Sequence, residues 1–150
     1  MLIDTHAHLN FAAYKNDLEE VIKRCSDEKV GVINVGSEYK TSKRAVDMAQ
    51  KYENLWAAIG LHPIHLSSST YYDKIDDSEE IEFKPSIEEY DAEKYRGLAQ
   101  NPKVVAVGEI GLDYFHDQGN IEHQKKFFKK QIELAAELNL PIIIHCREAY

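Results

Sequence analysis

At 150 residues, with 43% apolar and 29% charged residues, the chain is long enough for a single globular domain, residues 1–150, with a sizeable core. A formal net charge of −8 argues against a nucleic-acid binder that works through a broad basic surface. No apolar run approaches the roughly twenty residues of a membrane span, no leader pattern follows Met1, and Cys25 and Cys146 lack framework spacing, so a cytoplasmic protein with reduced thiols is expected.

Leu2 to Leu9 (LIDTHAHL) reads as a strand. Alternation would put Asp4, His6 and His8 on one face and Ile3, Thr5 and Ala7 on the other. Two such imidazoles need hydrogen-bond partners or a shared cation. Asp17 then offers an N-cap to a helix with Leu18, Val21, Ile22 and Cys25 at helical spacing. Val30 to Val35 is a short buried strand, and Thr41 to Tyr52 a second helix with Ala45, Met48, Ala49 and Tyr52 on one face. Leu55 to Leu61 is a third strand, stopped by His62-Pro63; Trp56 is expected in the core.

Ten acidic residues and two lysines lie between Asp73 and Glu93, leaving 16 acidic against 16 basic residues elsewhere. This stretch reads as a solvated insertion or an interaction face, and serines 67 to 69 with the acidic run up to Glu82 as a mobile loop. Ser86 and Glu89 fit a capping box for a helix reaching Gln100. Val104 to Ile110 is the fourth strand; period two gives Glu109 the face of Val105 and Val107, with Gly108 and Gly111 leaving room around it. Asn120 caps the longest helix, packed through Gln124, Phe127, Phe128, Gln131, Ile132, Ala135 and Leu138. Pro141 opens a fifth strand, Ile142 to Ile144, that ends in His145.

Strands that are continuous apolar runs and alternate with helices indicate a parallel sheet covered by helices, an α/β fold. A doubly wound sheet would carry a glycine-rich phosphate turn after strand one, where this chain has His6 and His8. A TIM-like (β/α)8 barrel fits better, because the polar groups fall at carboxyl ends of strands, where barrel active sites are built. The chain supplies about five of the eight strands, so the barrel is incomplete.

His6, His8, Glu109 and His145 would converge on one end of that sheet, and a buried carboxylate needs a cation or hydrogen bonds. Mixed imidazole and carboxylate donors suit zinc, manganese or other first-row divalent ions better than calcium, a carboxylate can bridge two ions, and two divalent ions, zinc, manganese or magnesium, are the expected cofactors. Two ions about 3.5–4 Å apart activate a water for attack on phosphorus or a carbonyl, so hydrolysis is the natural reaction class. His62 is placed to orient a substrate oxygen or to be surface structure. Asp4 is a candidate to steady a ligand. Asp113 and Arg147 flank the rim, where Arg147 suits a phosphate or an ion pair with Asp113. His65, His116 and His123 are expected in solvent.

The blocks DTHAHL (4–9), GLHP (60–63), GEIGLDY (108–114) and LPIIIHCREA (140–149), with Gln124, Phe128, Gln131 and Leu134-Ala135 between them, resemble the TatD family of metal-dependent deoxyribonucleases from end to end. The resemblance implies a TIM-like barrel, two divalent ions and hydrolysis of DNA phosphodiesters, often from a 3′ end of single-stranded DNA. It implies that His6 and His8 bind one ion, Glu109 bridges and His145 binds the other. The family's further histidine from strand six and aspartate from strand eight have no counterpart here. The alternatives are a hydrolase of other phosphoesters or amides, and a non-catalytic remnant or interaction module with a half site. Unpaired sheet edges are expected to favour self-association.

Overall fold

Five parallel strands in the order β1-β2-β3-β6-β7 form the body of the molecule: β1 (Leu2–Ala7), β2 (Val30–Val35), β3 (Leu55–Ile59), β6 (Val104–Asp113) and β7 (Ile142–Arg147). They are seen in a computed structural model that describes residues 2–67, 71–74 and 80–150. The connections carry the helices α1 (Leu18–Asp27), α2 (Tyr39–Lys51), α3 (Ala92–Leu98) and α4 (Ile121–Leu138). The sheet curves as a half-barrel, the five-stranded part of a TIM-like barrel, so the expected architecture is the one found.

The main core lies between the sheet and its helices, where Val32, Leu55, Ala57 and Ile59 meet Ile22, Ala45, Ala49, Tyr95 and Leu134. The other face of the sheet carries a smaller cluster of Val35, Ala58 and Ala106, flanked by Ile33 and Ile143. Short apolar strands bounded by Gly36 and by His62-Pro63 are buried on both faces, which is why they read as continuous hydrophobic runs. Asn139 closes α4 in the left-handed conformation, with φ 54°.

Several expectations are corrected. Within the acidic insertion, β4 (Tyr71–Lys74) and β5 (Glu80–Phe83) pair as an antiparallel hairpin, not a loop; residues 68–70 and 75–79 of that expected loop lie outside the described residues. The third helix begins at Ala92, capped by Asp91 Oδ1 on the Glu93 amide, and no helix starts at Ser86. Tertiary bonds hold that segment extended. Glu88 accepts from the Tyr39 amide and the Tyr95 hydroxyl, both at 2.7 Å, and the Ser86 hydroxyl donates to Glu38. The capping box belongs instead to α2, formed by Glu38 and Thr41. Trp56 is half-buried, with Lys103 Nζ 4.9 Å from its ring centroid.

Strand alternation fails where the site is built. Val107 and Ile110, three residues apart, both pack against Ala135 of α4, so the side-chain period slips between them. The β6–β7 ladder shifts register over the same residues. Glu109 therefore does not share the face of Val107, as simple alternation requires, and the irregularity turns its carboxylate towards β1 and β7. A second register shift falls between Asp4 and Ala7 in β1, where Asp4 Oδ1 accepts from the His6 amide at 3.0 Å.

Candidate metal centre

Parallel strands deliver their last residues to one end of the sheet, and here that end gathers imidazoles around one carboxylate. His6 Nε2 lies 3.3 Å from Glu109 Oε2, and His145 Nδ1 lies 3.1 Å from Glu109 Oε1. His8, one residue past β1, meets His6 edge-on with ring centroids 5.1 Å apart, and His62, just past β3, meets His145 with centroids 4.1 Å apart. Two donor sets result, His6/His8/Glu109 and His62/Glu109/His145, each with its ligand atoms within 4.8 Å of one another. Two donors bound to one ion at roughly 2.2 Å are at most about 4.4 Å apart. Neighbouring donors on one ion lie closer, about 3.1–3.6 Å apart, so closing either set takes side-chain shifts of up to about an ångström, and the donor chemistry and spacing fit. Glu109 stands in both sets.

The charges reinforce the arrangement. Burial raises the Glu109 carboxyl, but the hydrogen bond from His145 and the nearby His62 and His6 rings outweigh it and hold it at about 2. Burial pushes the His145 ring down, yet hydrogen bonds to Asp113 and Glu109 raise it to about 9. Both His145 nitrogens face carboxylates, Nδ1 at Glu109 and Nε2 at Asp113 Oδ2, 3.0 Å away, as an imidazolium requires. Asp113 lies well below the usual carboxylate range: burial opposes this, and its bonds to His145 and His116 prevail. His62 is different. Burial and the neighbouring His145 charge lower it to about 3, so the ring stays neutral.

Backbone placement explains how these groups are held. Glycines 108 and 111 leave room, but the room is filled by β7: a Cβ at Gly108 would lie 2.5 Å from Ile143 Cβ, and one at Gly111 1.9 Å from the His145 carbonyl oxygen. Gly111 also has φ +151°. The close approach sets His145 against Glu109 and Asp113. Two buried glutamines of α4 tie down the strand ends. Gln124 exchanges two hydrogen bonds with the Asp113 backbone (2.7 and 2.9 Å), and Gln131 two with Leu61 (2.8 and 3.0 Å), the residue before His62. The helical pattern shows both on the packed side, but nothing in it signals that they clamp the rim.

Two histidines expected in solvent have covered rings, His65 as a buried residue and His116 through its side chain. His65 is 5% exposed; its Nδ1 bonds the Ser86 carbonyl at 2.8 Å and its Nε2 the Ser37 hydroxyl at 3.3 Å. His116 has a 7% exposed side chain, with Nδ1 2.7 Å from Asp113 Oδ2. Only tertiary partners distant in sequence, or a turn bringing residue i+3 back, make such rings buriable. His123 is exposed as expected. Asp4 meets the His6 backbone, not an imidazole. Asp113 does hold a histidine of the cluster, and Arg147 stands opposite it in the β6–β7 register, stacked 4.0 Å over the Phe115 ring with Nη1 3.3 Å from His116.

A half-barrel of parallel strands with an imidazole–carboxylate cluster at their carboxyl ends defines a class, the metal-dependent hydrolases built on barrels. Residues 3–150 match the family model of the TatD related DNases, and the chain belongs to that family. It is 45% identical over 150 residues to the uncharacterized metal-dependent hydrolase YabD of Bacillus subtilis (strain 168), covering 99% of this chain and 52% of that protein. It is 32% identical to the 3′-5′ ssDNA/RNA exonuclease TatD of Shigella flexneri serotype 5b, covering 99% and 51%. Among solved structures, the TatD homologue YjjV of Escherichia coli K12 superposes with a TM-score of 0.74 at 33% identity, over 97% of this chain and 51% of that one. The chain spans about half the length of these relatives.

Proposed function

We propose that this chain carries the amino-terminal half of a two-ion phosphodiesterase centre acting on single-stranded DNA. The observation that supports it most is Glu109, whose two carboxylate oxygens face different histidines, His6 and His145, so that one side chain serves both donor sets. In this reading His6 and His8 would hold one ion, His145 would hold a second, and Glu109 would serve both. Zinc, manganese and magnesium all accept such donors, and when bound they supply Lewis acidity and charge neutralisation for attack on phosphorus.

The chain's own residues position and orient. Nδ1 of His62 accepts the Ile64 amide at 3.1 Å, so the neutral ring carries its proton on Nε2. A donor facing the cluster suits a phosphate oxygen, which favours His62 as a substrate-orienting group over a ligand in this tautomer. Asp113 fixes the His145 ring through Nε2 and so selects Nδ1 for the Glu109 side of the site. Arg147, beyond the end of that pair, presents a guanidinium to the rim for a phosphate.

The test joins residues 1–150 to the carboxyl-terminal half of the Bacillus subtilis relative and assays a labelled single-stranded oligonucleotide with MnCl2. Shortening that EDTA and Glu109→Gln each abolish is expected. Cleavage undiminished in Glu109→Gln contradicts the assignment. Release of nitrophenol from bis(p-nitrophenyl) phosphate without oligonucleotide cleavage moves the reading to other phosphoesters.

A further inference from the structure

Beside the cluster runs a groove of about 610 Å³, lined by Phe11, by the amino-terminal part of α2 and by the segment through Lys84 and Ser86. Four cations face it, Lys40, Lys43, Arg44 and Lys84, against two anions, Glu38 and Asp47. Lys43 is paired with Asp47 at 2.6 Å, and Glu38 takes the Ser86 hydroxyl. Lys40, Arg44 and Lys84 make no ion pair among the described residues. In a chain of net charge −8, three such cations on one groove are a local reversal of sign. The larger groove at the opposite end of the sheet shows no such imbalance: Lys23, Lys51 and Lys103 face Glu19, Asp27 and Glu53 there.

The groove is continuous with the centre. The Phe11 ring stacks on His8 with centroids 4.5 Å apart and an interplanar angle of 29°. Ser37 and Glu38, on its wall, directly follow Gly36, whose carbonyl accepts the Glu109 amide at 2.9 Å. Asn10 bonds the carbonyls of Val35 and Thr41, both at 3.0 Å, and so locks the Phe11 turn to α2. An aromatic face next to the donor set, with cations leading away from it, matches how single strands are held: bases stack and phosphates are neutralised. We propose that this groove is the track along which a single-stranded polynucleotide lies, a base against Phe11 and the following phosphates on Lys40, Arg44 and Lys84. The proposal rests on the reading of the centre as a nuclease site and extends it to residues that have no part in holding ions.

Binding is measured by fluorescence anisotropy in EDTA with labelled dT12, rU12 and a 12-base-pair duplex, on the soluble species of the 150-residue chain. The wild type is expected to bind dT12 in preference to the duplex; the rU12 arm tells whether the track distinguishes RNA from DNA. Replacing Lys40, Arg44 and Lys84 together by Gln is expected to weaken dT12 at least tenfold. The slope of log Kd against log salt should fall by about 2, at roughly 0.7 per phosphate contact on a single strand. Phe11→Leu keeps an apolar contact on His8 and is expected to weaken dT12 about fivefold or more through lost stacking. Circular dichroism and a calorimetric Mn2+ titration on the same variants separate the two ideas. Mn2+ binding with no dT12 binding, dT12 affinities within twofold of wild type in both variants, or equal affinity for the duplex would overturn the track and leave the metal centre standing. Failure of Mn2+ binding in the wild type removes the centre instead.

Discussion

His145 shows how much of this site is decided by single groups. Its ring lies between two carboxylates, and in the metal-free protein it is raised from 6.5 to about 9. A raised imidazole contributes stability that is fully present below its unfolded value, about 6.5, and is lost as the pH rises through about 9. The metal-free chain is thus expected to lose thermal stability between those values, and His145→Gln to flatten that part of the profile. A profile equally steep in the variant would show that the ion pair contributes nothing. His65 makes a contrasting case, since it is buried at the margin of the site and its hydrogen bonds go to a backbone carbonyl and a hydroxyl, with the nearest carboxylate, Glu38, 3.9 Å away. His65→Ala leaves the Ser86 carbonyl without its partner and should cost about 1–3 kcal/mol in urea unfolding. His123→Ala, at an exposed position, should stay within about 0.5 kcal/mol. Comparable losses in the two would contradict this division of the histidines.

At the scale of elements, the decisive feature is the close approach of β6 and β7 at Gly108 and Gly111. A methyl at Gly111 cannot coexist with the His145 carbonyl, so Gly111→Ala must part the strands or twist the chain away from φ +151°. A loss of about 2–4 kcal/mol is expected, with Mn2+ affinity falling as His145 leaves Glu109; calorimetry showing unchanged affinity would refute the link. Strands β2, β3 and β6 were readable from the sequence because they are largely apolar runs set off by Gly or Pro, and burial on both faces leaves that mark directly, whereas the edge strands β1 and β7 are only partly covered and showed through their apolar starts and terminal histidines. The convergence of His6, His8, Glu109 and His145 was expected from parallel strands that point the same way, although the alternation used to place Glu109 does not hold in β6. What could not be read depends on distant partners. The slip between Val107 and Ile110 is fixed by packing on Ala135, and the extended path before α3 by Glu88 bonding Tyr39 and Tyr95. Glutamines 124 and 131 look like ordinary helix positions until the strand ends they clamp are in place.

At the scale of the whole molecule, the sheet ends in two parallel edges. β1 exposes Leu2 (75%) and Ile3 (49%), and β7 exposes Ile144 (55%). Unpaired backbone bordered by apolar side chains recruits further strands. We expect the isolated chain to associate at micromolar concentration, and Ile3→Lys with Ile144→Lys to shift it towards monomer in sedimentation velocity. A wild-type monomer under those conditions would show that the edges are not adhesive. No helix among the described residues is long and apolar enough to cross a membrane. We propose that one carboxylate, Glu109, is shared by two ions at the carboxyl end of this half-barrel. A crystal grown with MnCl2 and measured at the manganese absorption edge tests it most directly. Two anomalous peaks are predicted, one among His6, His8 and Glu109 and one beside His145, each within coordination distance of a different Glu109 oxygen. Anomalous density absent from Glu109, or confined to groups away from these histidines, would contradict the account.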